Sequence, residues 1–271
     1  MTQPRLAPHP LGRKIRLTDA MAAAPAGLPP KPRIAEEIDA LGERLEALQA
    51  ALGADGRRAL LIVLQGRDAS GKDGTVKRVF GYLNPALTAV TGFKRPTPLE
   101  LRHDYLWRVH QVVPARGMIG IFNRSHYEDL LAARVHRLVP EAVWRKRYDQ
   151  INAFERLLAD EGIVIRKFFL HISKDEQRKR LAERLDDPTK NWKFELGDLA
   201  ERARWDDYSR AYEAVLARTS TPHAPWYLVP ADKNSARDLL VAQVVVAALE
   251  EIGPTYPKPD PKVLALRGKI K

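Results

Sequence analysis

The sequence predicts a parallel α/β fold: a five-stranded sheet with helices on both faces. Three observations carry that prediction. Short apolar runs at residues 60–64, 87–91, 118–122, 163–170 and 226–229 read as buried strands. Segments of helical periodicity separate them, and strand–helix alternation builds βαβ units whose strands run parallel. The first run leads directly into Gly66-Arg67-Asp68-Ala69-Ser70-Gly71-Lys72, a G-x-x-x-x-G-K turn that opens a helix.

Taken in order, residues 1–33 are irregular and Pro-rich. Arg5, Arg13, Lys14, Arg16, Lys31 and Arg33 stand there against Asp19 alone. Pro4, Pro8 and Pro10 oppose an amphipathic targeting helix, so this stretch reads as a basic arm draped on a core at 34–252. Ile34, Ile38, Leu41, Leu45, Leu48 and Leu52 alternate spacings of four and three, an amphipathic helix ending near Gly53. The helix after the phosphate turn covers 75–83, and residues 99–113 read as another. A long helix spans 140–161. Ser173 with Glu176 forms a capping box. Residues 186–197, broken by Pro188 and Gly197, interrupt two basic helices, as the tip of a lid over roughly 174–218 would. Trp205, Tyr208 and Tyr212 have helical spacing and read as core. A last apolar helix reaches Ile252, and the Pro- and Lys-rich tail, 253–271, reads as extended.

The turn has the composition of an anion cradle. Backbone N–H groups at a helix start point into such a loop, and the helix dipole adds partial positive charge. Gly66, Arg67, Ala69, Ser70, Gly71 and Lys72 are the phosphate-binding candidates. Two residues depart from the usual pattern. Asp73 stands where a Ser or Thr normally holds Mg²⁺, and Asp68 lies within the loop. A carboxylate about 4 Å from a phosphate oxygen costs roughly 4 kcal/mol at an effective dielectric near 20. A cation between them removes that cost. Asp68 therefore reads as a Mg²⁺ ligand or a base, and Asp73 as a helix N-terminal charge pointing away.

In parallel sheets ligands gather at the carboxyl ends of the strands. Lys94 and Arg95 follow the second strand. Asn123, Arg124, Ser125, His126, Tyr127, Glu128 and Asp129 follow the third, at the position of a Walker B element. Asn123 brings no charge to a metal; Glu128 and Asp129 take that part or serve as helix N-terminal charge. Arg124 can grip phosphate oxygens bidentately. His126 is a base by residue type only, and a structural role suits it better, because a phosphate acceptor is already ionised.

Size and composition bound the rest. The 271 residues allow one large domain with small appendages. The chain contains no cysteine, so disulfides and Cys-ligated metals are excluded. No apolar run approaches the length of a membrane span. The net charge of +11 implies a polyanionic partner.

These elements together resemble the polyphosphate kinase 2 family of polyphosphate:nucleotide phosphotransferases. The matching stretches are the turn through Gly74, Phe93-Lys94-Arg95-Pro96-Thr97, His103-Asp104-Tyr105-Leu106-Trp107-Arg108 and Phe122 to Asp129. Trp192-Lys193-Phe194, Trp205 with Tyr208, Pro225-Trp226 and Asp232-Lys233 complete the set. The resemblance implies a thymidylate-kinase-like P-loop kinase fold with a helical lid. It also implies Mg²⁺-dependent transfer from inorganic polyphosphate to nucleotides, in a cytoplasmic homo-oligomer. By position, Asp68 would bind Mg²⁺, Lys72 would contact the migrating phosphoryl group and Arg124 would hold phosphates. Lys190 and Lys193 on the lid would line the polyphosphate path. Lys94, Arg95, Asn123, Glu128 and Asp129 would attend the nucleotide. Many members carry Asp at the place of Asn123. Asn123 with Glu128 resembles the subgroup acting on both AMP and ADP, with guanine nucleotides a further acceptor class.

Two other readings fit less of the chain. An ATP-dependent nucleotide or small-molecule kinase would share the fold but leaves the missing hydroxyl at position 73 and the basic charge unexplained. A nucleic-acid-binding protein would use the basic surface, yet no helix-turn-helix, zinc or RNA-binding signature is present.

Overall fold

The computed structural model describes residues 4–270. Five strands, β1 (Ala59–Gln65), β2 (Thr88–Gly92), β3 (Ile119–Asn123), β4 (Ile163–His171) and β5 (Trp226–Pro230), form one all-parallel sheet in the order β2-β3-β1-β4-β5. The helices are α1 (Lys31–Asp55), α2 (Lys72–Val79), α3 (Trp107–His110), α4 (Ala132–Val135), α5 (Glu141–Asp160), α6 (Lys174–Asp186), α7 (Gly197–Ala203), α8 (Trp205–Thr219), α9 (Asn234–Ile252) and α10 (Pro261–Leu264).

Strand periodicity divides the core. Leu60, Ile62 and Leu64 of β1 pack toward α1, α2 and α9, while Ala59, Leu61 and Val63 pack toward α4, α5 and α8. Both faces are covered, so β1 is buried throughout and reads as an unbroken apolar run. The chain leaves β1 for β2 on one side and later returns past β1 to β4 on the other. That reversal opens a crevice at the carboxyl ends of β1 and β3. Register sets Leu64 beside Asn123, so the phosphate turn and the segment from Arg124 emerge side by side.

Several expected boundaries move. α1 runs through Gly53, against which the Leu87 side chain packs, and stops at Gly56, whose φ of 63° is left-handed. α2 starts at the lysine of the turn and ends at Val79. Residues 99–113 do not form one helix: only a 3₁₀ turn at Glu100–Arg102 and the single turn of α3 are helical. The Asp104 carboxylate accepts from Leu106 N–H at 2.9 Å and diverts the backbone. The tail is not wholly extended either. Asp260 caps α10, with Pro261 in its first turn, and an exposed 3₁₀ turn follows at Ala265–Lys269. Before α1 the arm crosses the core. His9 N–H donates to Trp226 O at 2.7 Å, Leu17 N–H to Glu213 at 2.8 Å, and Asp232 N–H to Ala22 O at 3.1 Å.

A buried polar network fixes the segment after β3. Lys167 Nζ donates to Glu155 Oε2 at 2.5 Å and to Tyr127 Oη and Thr219 O at 2.7 Å. Tyr127 Oη donates to Glu155 at 2.9 Å, and His126 Nε2 lies 3.2 Å from the same oxygen. His126 is thus structural, as expected. Glu155→Ala would leave the Lys167 ammonium buried and unpaired. It is expected to cost about 3–5 kcal/mol of folding free energy, measured by urea denaturation.

Candidate active site

The phosphate turn has one workable backbone. Gly66 cannot carry a Cβ, which would meet Ser70 Oγ at 2.5 Å and Leu170 O at 2.8 Å. Gly71 has φ 97°, and a Cβ there would collide with the buried Arg237 guanidinium. Ala69 also holds a positive φ of 62°. The loop's outer carbonyls are braced from outside the motif: Gln177 Nε2 donates to Asp68 O at 3.0 Å, Arg180 Nη1 to Ala69 O at 3.0 Å and Arg237 Nη1 to Ser70 O at 3.3 Å. With the carbonyls engaged, the N–H groups at the start of α2 remain the loop's face for an anion.

Lys72 is buried, its Nζ donating to Gly66 O at 2.7 Å and Arg67 O at 3.2 Å. Burial, aided by the facing Arg124, pushes its ammonium down to about 8. Arg124 has a left-handed φ of 62°, and its N–H donates to Leu64 O at 3.0 Å. Its guanidinium donates to Asp68 Oδ1 at 2.6 Å and lies 4.0 Å from Glu128. Burial would lower the Arg124 pKa, but Glu128 and Asp68 outweigh it and raise it. Glu128 goes up through burial, against the pull of Arg124 and Lys72. Gln65 sets its amide between Ser125 and Glu128, donating to Glu128 Oε1 at 3.0 Å. Asp73 does not point away as expected: its Oδ1 accepts from Asn123 Nδ2 at 2.7 Å across the crevice. Parallel register sets β1 and β3 side by side, and this hydrogen bond joins the segments they lead into.

The charges facing Lys72 are thus Arg124 against Asp68, Glu128 and Asp73. Two cations and three carboxylates leave the cluster net negative before any phosphate arrives. Among the described residues no three acidic or histidine side chains are already gathered as a metal site. A hard divalent cation held by one or two carboxylates and completed by phosphate oxygens fits this donor set.

Other expected site residues lie elsewhere. The Arg67 guanidinium stacks 4.0 Å over Trp205 and donates to Ser209 Oγ at 2.6 Å, so it grips α8 while its carbonyl receives Lys72. Asp129 pairs with Arg147 at 3.1 Å and with Arg108 at 3.9 Å. Lys94 and Arg95 are exposed, and Lys94 O accepts from Arg108 at 2.9 Å. Lys190 pairs with Asp187 at 2.6 Å, and Lys193 lies over Trp192, so both engage the lid tip itself. Trp205 and Tyr212 are core by burial yet border the site, one under Arg67 and the other stacked 4.0 Å from Phe169. Sequence reasoning missed the braces Gln177, Arg180 and Arg237. Only Arg237-Asp238, a charged pair inside the apolar run of α9, carried a signal that could have exposed one of them.

A parallel sheet, a glycine turn around a buried lysine and a facing arginine define a P-loop phosphotransferase. The family model for polyphosphate kinase 2 matches residues 31–256. The chain belongs to the polyphosphate kinase 2 family. It is 56% identical over 225 residues to the AMP/ADP-polyphosphate phosphotransferase of Meiothermus ruber, covering 83% of this chain and 84% of that one. It is 47% identical over 231 residues to the ADP-polyphosphate phosphotransferase of Rhodopseudomonas palustris, covering 81% and 80%. The crystal structure of polyphosphate kinase 2 from Arthrobacter aurescens TC1 superposes with a TM-score of 0.89 at 40% identity, over 97% of this chain and 99% of that one.

Proposed function

We propose that this protein moves phosphoryl groups between inorganic polyphosphate and adenine nucleotides, converting AMP to ADP and ADP to ATP, with Mg²⁺ as its metal. One observation carries the reading. The anion cradle holds a carboxylate, Asp68, that faces Arg124 and Lys72 rather than solvent. Kinship to the Meiothermus ruber enzyme and the pairing of Asn123 with Glu128 support acceptance of both AMP and ADP; guanine nucleotides are a further acceptor class.

The N–H groups of the turn and Lys72 hold the migrating phosphoryl group, and Arg124 grips the partner phosphates. Asp68, with Asp73 beside it, would hold Mg²⁺, which when bound offsets charge on the phosphate oxygens. Glu128 keeps Arg124 in place. Asn123 orients Asp73. The acceptor phosphate needs no general base, and His126 is sealed beside Glu155. Catalysis then rests on positioning and electrostatics. α6 and α7 form the lid, its root tied to the loop through Gln177 and Arg180. Among the described residues no helix is long and apolar enough to cross a membrane. A cytoplasmic location and a homo-oligomeric state are part of the proposal and rest on kinship alone.

The test is a donor-and-acceptor assay. Purified protein with Mg²⁺, long-chain polyphosphate and AMP is expected to yield ADP and then ATP. Turnover that requires ATP as donor while polyphosphate stays inert would overturn the reading.

A further inference from the structure

Helix α7 is held from two sides by neighbouring residues. Glu201 faces the core: its carboxylate lies 2.9 Å from His136 Nε2, just past α4, and accepts from Tyr208 Oη of α8 at 2.6 Å. Arg202 faces α6: its Nη1 donates to Lys174 O at 2.8 Å and to Gln177 Oε1 at 2.9 Å. Gln177 is buried, and the other end of its amide donates from Nε2 to Asp68 O at 3.0 Å. One side chain thus meets both the lid helix and the phosphate turn. Its orientation is not free. Turned over, the amide would set Nε2 against the Arg202 guanidinium and Oε1 against a carbonyl, two donors together and two acceptors together. Arg202 therefore decides which way Gln177 faces, and its charge polarises the amide so that Nε2 donates more strongly.

The peptide it holds borders a strained residue. Ala69 keeps φ at 62°, a state that costs energy in a non-glycine residue and persists where its surroundings impose it. The carbonyls on either side of that strain, Asp68 O and Ala69 O, are both held by α6, through Gln177 and Arg180. Arg180 is itself fixed by Glu176 on α6 at 2.9 Å and by Ala231 O and Asp232 O after β5 at 2.8 Å. Of the two braces, Gln177 is the one joined to α7. Asp198, in the first turn of α7, is pushed up by burial, and the charge of Asp68 adds to the rise, so α7 sits close over the loop.

We propose that Gln177 is a positioning residue for phosphoryl transfer, whose amide, set by Arg202, holds the Asp68 peptide in its working form only while α7 is seated. The proposal rests on the reading above, in which Asp68 holds the divalent cation. Lid closure and assembly of the cation site then become one event. With α7 lifted, Arg202 leaves, the amide is free to turn, and the strained turn loses one of its two restraints from α6.

The experiment compares wild type with Gln177→Met, Arg202→Met, Arg202→Lys and the double Met variant. Methionine fills much of each site without its hydrogen bonds. Melting curves confirm that each variant is folded, and the half-buried Arg202 keeps the test open if Gln177→Met does not fold. Hydrogen exchange on the metal-free protein, followed by mass spectrometry, reads the peptide spanning residues 66–74. Gln177→Met should exchange there roughly threefold to tenfold faster. Arg202→Met should do nearly the same, although its hydrogen bonds go to α6 and not to the turn. Arg202→Lys, which can still donate to Gln177 Oε1, should restore slow exchange. The double variant should be no faster than Gln177→Met, because the two residues act in series. In turnover, Gln177→Met should lower kcat about tenfold and raise the magnesium concentration for half-maximal rate, with KM for AMP unchanged. Additive effects on exchange, or an Arg202→Met turn that exchanges like wild type, would make these two residues separate structural contacts and sink the proposal. An unshifted magnesium requirement in Gln177→Met, beside a shifted one in Asp68→Asn, would sink it too. If Asp68→Asn itself leaves the magnesium requirement unshifted, the failure is a different one: the cation reading falls, and the positioning role with it.

Discussion

Lys72→Met is expected to reduce kcat/KM for phosphoryl transfer by roughly a thousandfold while leaving the protein folded. Preorganised cations aimed at developing charge contribute about that much in enclosed sites. Lys72 is buried at the mouth of the turn, and its donors rest on two loop carbonyls. It needs only to swing from those carbonyls to a phosphate oxygen. The methionine fills a similar volume without a charge, so circular dichroism and thermal melting should report an intact fold. Activity near wild type would remove Lys72 from the mechanism.

The same residue sets a pH dependence whose sign is fixed by its environment. The folded-state ammonium titrates near 8, against an ordinary value of 10.5, because burial and Arg124 disfavour its charge. The free enzyme therefore loses the charged form as pH rises through about 8, and kcat/KM should fall there. Stability runs the other way. Between about 8 and 10.5 the unfolded chain holds a proton that the folded chain has released, so this residue's contribution to stability rises with pH across that window. In Lys72→Met the activity limb should vanish, and the stability limb should shrink to the share of Lys167, whose buried ammonium is likewise pushed down to about 8.

The sheet was legible in the sequence because each strand is an apolar run bounded by turn residues, a local signal. The phosphate turn was legible because its backbone demands glycine at Gly66 and Gly71. Residues 99–113 were misread because helical periodicity survives a single Asx turn at Asp104 that diverts the backbone. Gly53 was read as a stop because helix-breaking is a local rule, while the close packing of Leu87 is not. The site divides the same way. Lys72, Asp68 and Arg124 lie in segments that register brings together, and they meet as anticipated. Arg180 and Arg237 brace the loop from helices far along the chain, and in sequence they resemble ordinary helical charges. Arg67 and Asp129 carry the right chemistry in the right motif, yet nearer partners on α8 and α5 claim their side chains.

Asp68→Asn tests the carboxylate in the cradle. It keeps the shape of the side chain and removes one negative charge from a cluster of two cations and three carboxylates. If Asp68 only paired with Arg124, its loss would free the guanidinium to meet phosphate more strongly. Substrate KM would then hold or fall, and the magnesium requirement would stay as it was. If Asp68 holds the divalent cation, two effects appear together. kcat should drop about a hundredfold, as when one preorganised charge contact is removed. The magnesium concentration for half-maximal rate should rise, because the cation keeps Asp73 and the phosphate oxygens but loses a ligand. A magnesium titration of both proteins at saturating polyphosphate and AMP separates the cases. The paired outcome is expected, since a negative loop residue that faced phosphate without a mediating cation would oppose the binding that the rest of the turn is built to provide.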